Sequence, residues 1–549
     1  MAGGLLNLVS VGNNNLILTG SPTKTFFKVI YSKYTNFGLQ KFRIDYDGLR
    51  DLRINSPSQY TFKIPRNADL LMDTYLCMFL PDIWSPIYHP CANTNNQWAP
   101  YEFRWIKDLG THIIKEVLIT CGSQIVQKYS GEYLHAMIQR DFNNEKKELL
   151  DNMMGNTGEY YNPAYASTRL NVYPSAYYTS NTAGAEPSIR GRNIFIPINT
   201  FFTLDSRCAF PLVSLQYNEL YITITLRPIQ ELFQVRDVFD PTNHFPYVQP
   251  DFTLPQFQMY RFLQTPPSVN LDISNYVNTS VTWNADIHLI STYAFLSDEE
   301  RKLFAAEDQI YLVKDVFQYD FQNVAGTSRV SLTSSGMVSS WMWYFQRNDA
   351  FMRNEWSNYT NWPYRFIPND ISPAPRTQTY DATITTGPSV NPLDGNNTGI
   401  FITGDFSAEN QKEIMQTMGI LLNGDYRENT LTSGIYNYIE KYIRTSGNAN
   451  EGLYCYNFCL NTNPFKYQPS GAINMSKFKD VQLEFSTYIP QINLDNSYFQ
   501  VFCDNSQNVI GITKPNNFMY DYNYNMTLFE ERYNILSFIG GNASMLYAK

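Results

Sequence analysis

Apolar and polar positions alternate through much of this chain, a pattern typical of β-strands, whose successive side chains point to opposite faces. Residues 113–120 and 124–128 alternate on either side of Cys121, Gly122 and Ser123, which predicts a hairpin. Further strands are predicted where β-branched and aromatic residues concentrate, at residues 40–45, 59–64, 70–80, 193–198, 212–226, 281–293, 310–321, 339–345, 454–460, 481–486, 498–503, 509–513 and 531–538. The predicted fold class is therefore all-β.

Helical periodicity interrupts the strands at a few places. Residues 131–150 are predicted to form one amphipathic helix, because a set of positions recurs about every four residues: Leu134, Ile138, Phe142, Glu145 and Leu149. Ser297 followed by Glu300 is the signature of a capping box and predicts a short helix. Further helical pieces are expected near residues 407–418 and 433–442. All of them are predicted as insertions between strands.

The strand pattern runs through the chain twice, with a proline-rich stretch between the two runs. Two β-sandwiches in tandem are therefore predicted, with short inserted helices and long polar loops. The expected division is an N-terminal arm at 1–25, a first sandwich at 26–228, a connector at 229–255, and a second sandwich at 256–549 with a long loop insertion at about 346–450.

The first residues form an apolar segment that is broken by glycines and by three consecutive asparagines, so neither a helix nor a regular strand is predicted. Its apolar side chains are too many for a solvated tail, and the segment is expected to lie on a protein surface. They are Leu5, Leu6, Leu8, Val9, Leu16, Ile17 and Leu18. The first basic residue, Lys24, follows these side chains. That order is wrong for a secretory signal, so the segment is expected to be retained.

The net charge of −9 argues against a protein that wraps nucleic acid, which would need to neutralise phosphates. Residues 21–53 depart from this balance, with seven basic residues against three acidic ones. This region is either a solvated face or a basic surface that meets an acidic partner or an anionic membrane. No stretch approaches the roughly 18 apolar residues of a membrane span.

The residues predict no catalytic, cofactor or metal site. Phosphate-loop, dinucleotide, zinc-protease and nucleophile-elbow motifs are missing from the sequence. The five histidines are scattered and are expected to be structural or incidental: His89, His112, His135, His244 and His288. A β-sandwich glycosidase is an alternative that the sequence leaves open, because its two catalytic carboxylates need no local motif.

The seven cysteines do not suggest a disulfide scaffold. Cys455 and Cys459 lie in an alternating run, YCYNFCL, which predicts a strand. Four strand residues separate their Cα atoms by about 13 Å, too far for a disulfide or for one shared zinc ion. Free thiols in a reducing compartment are expected.

Blocks of sequence in order from one end of the chain to the other resemble the major capsid proteins of large double-stranded DNA viruses, the double jelly-roll family. The blocks are MAGGLLNLVSVG, TFFKVIY, GSQIVQKYSGEYL, MMGN, FPLVSLQYNEL, YAFLSDEERKLFA, LLNGDYRE, YCYNFCL, QPSGAINMSKF and ERYNILSFIGGNASMLYA. Residues 346–408 contain no matching block, and in this family such loops cover the outer surface of the capsomer.

The resemblance implies two eight-stranded jelly rolls side by side and a homotrimer with a pseudo-hexagonal outline that tiles an icosahedral shell. It implies a non-catalytic structural subunit in the outer capsid of the virion, assembled inside the infected cell, in the cytoplasm. The implied partners are copies of itself, neighbouring capsomers, minor capsid proteins beneath the shell and the inner viral membrane, with no cofactor and no direct nucleic acid. The apolar N-terminal residues would then be an assembly arm at the base of the capsomer.

Two alternatives belong to other classes: a minor, penton-like capsid protein and a carbohydrate-binding β-sandwich. A penton subunit would usually need only one jelly roll, and a secreted lectin would want a signal peptide and paired cysteines. Asn358 and Asn396 begin Asn-X-Thr sequons on predicted loops and are predicted as sugar acceptors.

Overall fold

A computed structural model describes residue 17 and residues 20–48, 51–88, 99–169, 172–176, 185–237, 247–267, 275–362, 364–365, 387–390, 397–402, 411–466, 468–489, 500–503, 509–513 and 522–547. Its regular structure is predominantly β-strand, which confirms the predicted all-β class. The apolar N-terminal residues lie outside the described residues, apart from Ile17, whose side chain is 99% exposed.

Fourteen strands are described between Phe37 and Leu296. They are β1 Phe37–Ile44, β2 Ser58–Lys63, β3 Leu70–Leu80, β4 Ile87–Tyr88, β5 Ala99–Pro100, β6 Phe103–Trp105, β7 Ile114–Cys121, β8 Gln124–Ser130, β9 Arg192–Pro197, β10 Phe210–Pro211, β11 Leu220–Leu226, β12 Phe233–Arg236, β13 Tyr247–Val248 and β14 His288–Leu296.

Two antiparallel sheets from these strands form the first sandwich. One sheet has the order β1-β14-β3, with β9 and β10 both pairing along β3, and the other has the order β2-β11-β7-β8. Alternate side chains of β2 are buried, so one face of this strand lies in the core and the other faces solvent. The hairpin of β7 and β8 turns at Gly122, whose φ of +59° explains why a glycine occupies the turn.

Seven α-helices lie in the described parts of the chain. They are α1 Leu109–His112, α2 Gly131–Asp141, α3 Asn144–Met154, α4 Gly158–Tyr161, α5 Phe201–Leu204, α6 Asp298–Ala306 and α7 Glu440–Arg444, the last continuing from a π-helical turn at Ile435–Ile439. The Ser297 hydroxyl accepts a hydrogen bond from the Glu300 amide, so the predicted N-cap of α6 is confirmed.

The single helix predicted over residues 131–150 is two helices. The Asn143 side chain accepts a hydrogen bond from the Lys146 amide and thereby begins α3 as a new helix. Leu134, Ile138 and Phe142 are buried as the periodicity predicts, whereas Leu149 is exposed on α3. The break changes which face of the second helix meets the core.

The second half of the chain contributes fourteen more strands. They are β15 Gln309–Val324, β16 Thr327–Leu332, β17 Met337–Arg347, β18 Gly387–Val390, β19 Asn397–Ile402, β20 Met415–Leu422, β21 Asp425–Thr432, β22 Leu453–Asn457, β23 Ile473–Asn474, β24 Val481–Thr487, β25 Gln500–Cys503, β26 Val509–Thr513, β27 Tyr524–Ile539 and β28 Asn542–Met545.

These strands form a second sandwich from two sheets, ordered β15-β27-β17-β22 and β16-β24-β20-β21. The helix predicted at residues 407–418 is wrong at its C-terminal end, because β20 begins at Met415 and pairs with both β21 and β24. Its continuous apolar residues are buried between neighbouring strands. The helical prediction at residues 433–442 agrees with the π-helical turn and α7.

The sheet that contains β17 is buried on both faces. Trp341, Trp343 and Phe345 point into the core of the second sandwich, whereas Met342 and Tyr344 pack into the core that contains the first sandwich. The same division holds in β22, where Tyr454 and Tyr456 belong to the second core and Leu453 and Cys455 to the first. One sheet therefore serves as a wall shared by the two cores, and we call it the shared sheet.

Strand pairing also crosses the expected domain boundary at residue 256. Strand β14 lies between β1 and β3 in the first sandwich, although it follows that boundary. Within the expected connector, β12 pairs with β6 and β13. Within the expected insertion at 346–450, β20 and β21 belong to the second sandwich. The domain limits thus stay predictions. Any revised limits must keep β14 with the first sandwich and β20 and β21 with the second.

Candidate functional site

Helix α2 lies between the two sandwiches and begins at a well-defined cap. The Ser130 hydroxyl accepts a hydrogen bond from the Tyr133 amide, and the helix then buries residues on nearly every side. A helix buried all round must satisfy any polar side chain it carries within the protein. Arg140 and Asp141, at its C-terminal end, are both fully buried.

Arg140 of α2 reaches the shared sheet. Its Nη2 lies 2.8 Å from Oε1 of Glu531 in β27, and its Nη1 donates to the Ser340 hydroxyl of β17 at 3.0 Å. Arg140 also forms a two-point pair with Asp141, from Nε at 3.0 Å and from Nη2 at 2.7 Å. One guanidinium therefore ties the helix to two strands of the second sandwich.

Further donors complete the partners of the two carboxylates. Tyr133 donates to Oε1 of Glu531 at 2.8 Å, and Ser340 donates to Oε2 at 2.8 Å. The Lys314 ammonium lies 3.5 Å from the same Oε2. The Thr462 hydroxyl donates to Oδ1 of Asp141 at 2.5 Å. We call this set the junction network: Tyr133, Arg140, Asp141, Lys314, Ser340, Thr462 and Glu531.

The charges of the junction network are matched within the buried site. Burial by itself would raise the pKa of the Glu531 carboxyl, but Arg140 and Lys314 hold that pKa at about 2. For Asp141, burial outweighs the attraction of Arg140 and raises the pKa. Such a network stabilises one arrangement of its elements, because breaking it would strand a buried charge.

A second feature is the exposed N-terminal segment, residues 20–36, which precedes β1. Its large apolar side chains lie in solvent, with Phe27 at 100% exposure, and lysines alternate with them. The Lys24 ammonium lies 5.4 Å from the ring centroid of Phe26. Contiguous exposed apolar side chains mark a surface that another molecule covers. They are Phe26, Phe27, Val29, Ile30, Tyr31 and Tyr34.

The predicted sugar acceptor Asn358 does not lie on an exposed loop. Its side chain is buried at 4% exposure, and its Nδ2, the atom that would carry a sugar, donates to the Trp362 carbonyl at 2.8 Å. Oδ1 accepts from the Thr360 hydroxyl at 2.6 Å. This turn closes on itself, so the fold argues against a sugar at Asn358. Asn396 lies outside the described residues.

A buried cluster of Asp108, His112 and His135 went unrecognised in the sequence. Each residue offers one ligand atom, and these atoms lie within 4.8 Å of one another. Asp108 is the N-cap of α1 and His112 is its last residue, while His135 belongs to α2, so only folding brings the third residue to the other two. The one local signal is the four-residue spacing of Asp108 and His112. These are the residues in the described chain that could hold a metal ion.

Cysteines and membrane spans add little to this picture. The described cysteines whose side chains are placed are free thiols, including Cys455 and Cys459, as the sequence predicts. Burial raises the pKa of Cys455 to about 11, which keeps this thiol protonated and unreactive at neutral pH.

In the portion of the chain covered by the structure, no helix has the length and apolarity needed to cross a membrane.

Two family models match the chain in succession. The model described as major capsid protein N-terminus matches residues 25–261, and the model described as large eukaryotic DNA virus major capsid protein matches residues 300–544. Together they cover most of both sandwiches, and residues 262–299 between the two matches contain β14.

Curated relatives extend the similarity to the whole chain. The major capsid protein of Phaeocystis pouchetii virus is 22% identical over 588 residues, which cover 99% of each chain. The major capsid protein of Paramecium bursaria Chlorella virus 1 is 23% identical over 551 residues, covering 100% of each. Capsid protein 1 of Acanthamoeba polyphaga mimivirus is 25% identical over 60% of this chain, and that match spans only 45% of the mimivirus protein.

Solved structures share the fold. The PBCV-1 protein VP54, fitted into a reconstruction of the virophage Sputnik, matches with a TM-score of 0.60 at 18% identity, covering 96% of this chain and 100% of that one. The Faustovirus major capsid protein matches with a TM-score of 0.57 at 12% identity, covering 97% and 98%. The two sandwiches described above are accordingly jelly rolls, and the chain has the double jelly-roll fold.

Proposed function

This chain belongs to the major capsid proteins of large eukaryotic DNA viruses, and we propose that three copies of it assemble into a capsomer with a pseudo-hexagonal outline. Its role is that of a structural subunit of the virion capsid. Two jelly rolls per chain supply six per trimer, which suits a hexagonal lattice. The proposed role needs no catalytic step.

The shared sheet is the observation that carries this proposal. A trimer can present a six-sided outline only if the two rolls of each chain hold a constant orientation. Interfaces between domains normally permit relative motion unless they are large and apolar. Here β17, β22 and β27 contribute side chains to both cores, and the junction network adds buried charge pairs beside them. The two rolls therefore behave as one rigid unit.

For the N-terminal residues we propose an arm that binds neighbouring subunits or minor capsid proteins. The support comes from the exposed N-terminal segment, which offers apolar rings and lysines without covering them within its own chain. The apolar positions from Leu5 to Leu18 would extend the same contact. The basic residues of this region would face an acidic protein surface or the inner viral membrane. Assembly would take place in the host cytoplasm, without direct contact to nucleic acid.

The protein content of purified particles tests the proposed role. As a major capsid subunit, this chain should be the most abundant protein when virions are dissolved and quantified by mass spectrometry. A copy number comparable to that of a minor protein would contradict the role. The penton-like alternative would give that low copy number, and a carbohydrate-binding protein of the infected cell would be missing from the particles.

A further inference from the structure

Some polar side-chain atoms in the cluster of Asp108, His112 and His135 make no hydrogen bond to the described residues. Both ring nitrogens of His112 and Oδ2 of Asp108 are buried and have no hydrogen-bond partner among the described residues. His112 is completely buried, and the other two residues are nearly so. Buried polar groups are normally satisfied, so the Asp108 carboxylate oxygen and the unprotonated ring nitrogen of His112, both buried acceptors without a partner, point to a bound species between the three residues.

Hydrogen bonds around the cluster fix which atoms face inward. Asn156 holds Asp108 in place, because its Nδ2 donates to Oδ1 of Asp108 at 2.8 Å and its Oδ1 accepts from the Asp108 amide at 2.9 Å. Oδ1 is thereby occupied and Oδ2 turns toward His135. The distance from Oδ2 of Asp108 to Nε2 of His135 is 4.0 Å, too long for a hydrogen bond.

The other ring nitrogen of His135 faces the Thr111 hydroxyl. Nδ1 lies 3.5 Å from the Thr111 hydroxyl, and this hydroxyl already donates to the Asp108 carbonyl oxygen at 3.0 Å. Thr111 can therefore only accept from His135, and in the tautomer with its proton on Nδ1 the ring satisfies this contact and leaves Nε2 as the acceptor. The lone pair of Nε2 is then directed at the Asp108 carboxylate. In this tautomer two acceptors face each other across 4.0 Å, an arrangement that a metal ion between them would stabilise.

We propose that Asp108, His112 and His135 bind a divalent transition-metal ion of the zinc class. Two imidazoles and one carboxylate are a donor set that favours zinc and its neighbours over calcium or magnesium. Tetrahedral zinc with these ligands separates the ligand atoms by about 3.4 Å, so the cluster contracts by about 1 Å on binding. Water supplies the fourth position, and the Thr111 hydroxyl orients His135 from behind.

Nearby cations limit how tightly the site can bind. The Arg365 guanidinium lies 3.9 Å from Oδ2 of Asp108, and Lys107 is adjacent in sequence. Their repulsion weakens binding relative to a cysteine-rich zinc site. The ion would nonetheless join α1 to α2, the helix that carries Tyr133 and Arg140 into the junction network. Its role is structural, as a clamp that steadies this helix against the first jelly roll.

Zinc titration of the full-length protein tests the site. After treatment with a chelator, the wild-type protein should take up one equivalent of zinc by calorimetry, and zinc should raise its Tm. His112→Ala should lose both effects. His288→Ala is the matched control, because His288 lies in β14, outside the cluster, and this variant should bind as the wild type does. Unchanged uptake by His112→Ala would overturn the assignment.

Cobalt provides a readout that needs no variant. If His112→Ala fails to fold, Co²⁺ added to the wild-type protein should produce the strong visible absorption of a tetrahedral site, and zinc should abolish it by competition. Absence of this absorption together with absence of zinc uptake by the wild type would overturn the proposal. In that event a shared proton or a buried water satisfies the carboxylate and the imidazoles.

Discussion

Arg140 and Glu531 form a buried ion pair at 2.8 Å although 391 residues separate them in the chain. The pair joins α2, which follows β8 of the first jelly roll, to β27 of the shared sheet. Because both groups are shielded from water, removing either partner would leave the other as an uncompensated buried charge, which destabilises the fold. Orientation of the two rolls therefore depends on a contact that spans most of the sequence.

Replacing Arg140 by methionine should lower the free energy of unfolding by about 3–5 kcal/mol, because Asp141 would be left buried without its cation and Glu531 would keep only the Lys314 ammonium. Methionine keeps much of the volume of the arginine side chain, so the loss of stability would come from the missing charge rather than from poorer packing. Denaturant unfolding of the purified protein measures the change.

The control for this variant is Arg43→Met. Arg43 pairs with Asp45 and Asp286 at comparable distances, but its side chain is about half exposed, so the loss should be at most about 1 kcal/mol. Equal losses of unfolding free energy in the two variants would show that burial of the junction network does not strengthen its ion pairs.

Acid should weaken the junction network through Glu531. The pKa of this carboxyl is about 2 in the folded protein against an ordinary value of 4.5, so the folded state holds its proton less tightly than the unfolded state. The stabilisation is therefore complete above pH 4.5 and is lost as the pH falls toward 2. The difference in unfolding free energy between the wild type and Glu531→Gln should shrink over the same interval. A difference that stays constant from pH 6 to pH 2 would contradict this assignment.

The shared sheet predicts that Met342 contributes to a core different from that of its neighbours in sequence. Met342 is fully buried against the first jelly roll, and Met342→Ala should cost about 2–5 kcal/mol. Met337, at the start of the same strand, is 40% exposed, and Met337→Ala should change stability by no more than about 0.5 kcal/mol. Comparable effects at both positions would contradict the two-faced burial of β17.

Assembly should depend on the exposed N-terminal segment although folding does not. Replacing Phe27 and Ile30 together by serine removes two exposed apolar side chains, so the melting temperature should stay unchanged while the yield of assembled particles falls. Leu149→Ser is the control, because Leu149 is an exposed apolar residue on α3. Normal assembly of the double variant would argue that this segment is not an assembly surface. Deleting residues 1–22 should likewise leave a folded trimer that assembles poorly.

The sequence predicts the strands well where apolar and polar residues alternate, as in β2, β7 and β8. It does not reveal the shared sheet, because SWMWYF is apolar at nearly every position and gives no sign of which residue faces which core. The placement of β14 beside β1 is equally hidden, since strand pairing over long sequence separations leaves no local pattern.

Sites that depend on distant residues were missed for the same reason. Arg140 and Glu531 are ordinary charged residues in the sequence, and only burial at the same junction makes them partners. Asn358 shows the converse case. Its sequence matches the glycosylation sequon, but the fold buries the side chain. A motif records which residues are present, but accessibility is decided by packing elsewhere.

The mass and outline of the purified protein test the central claim most directly. Native mass spectrometry should give a species of three times 63.5 kDa, and electron microscopy of that species should show threefold symmetry with a six-sided outline. Each subunit should contribute two adjacent rolls in a constant orientation. A stable monomer, or particles in which the two rolls vary in relative orientation, would contradict the account.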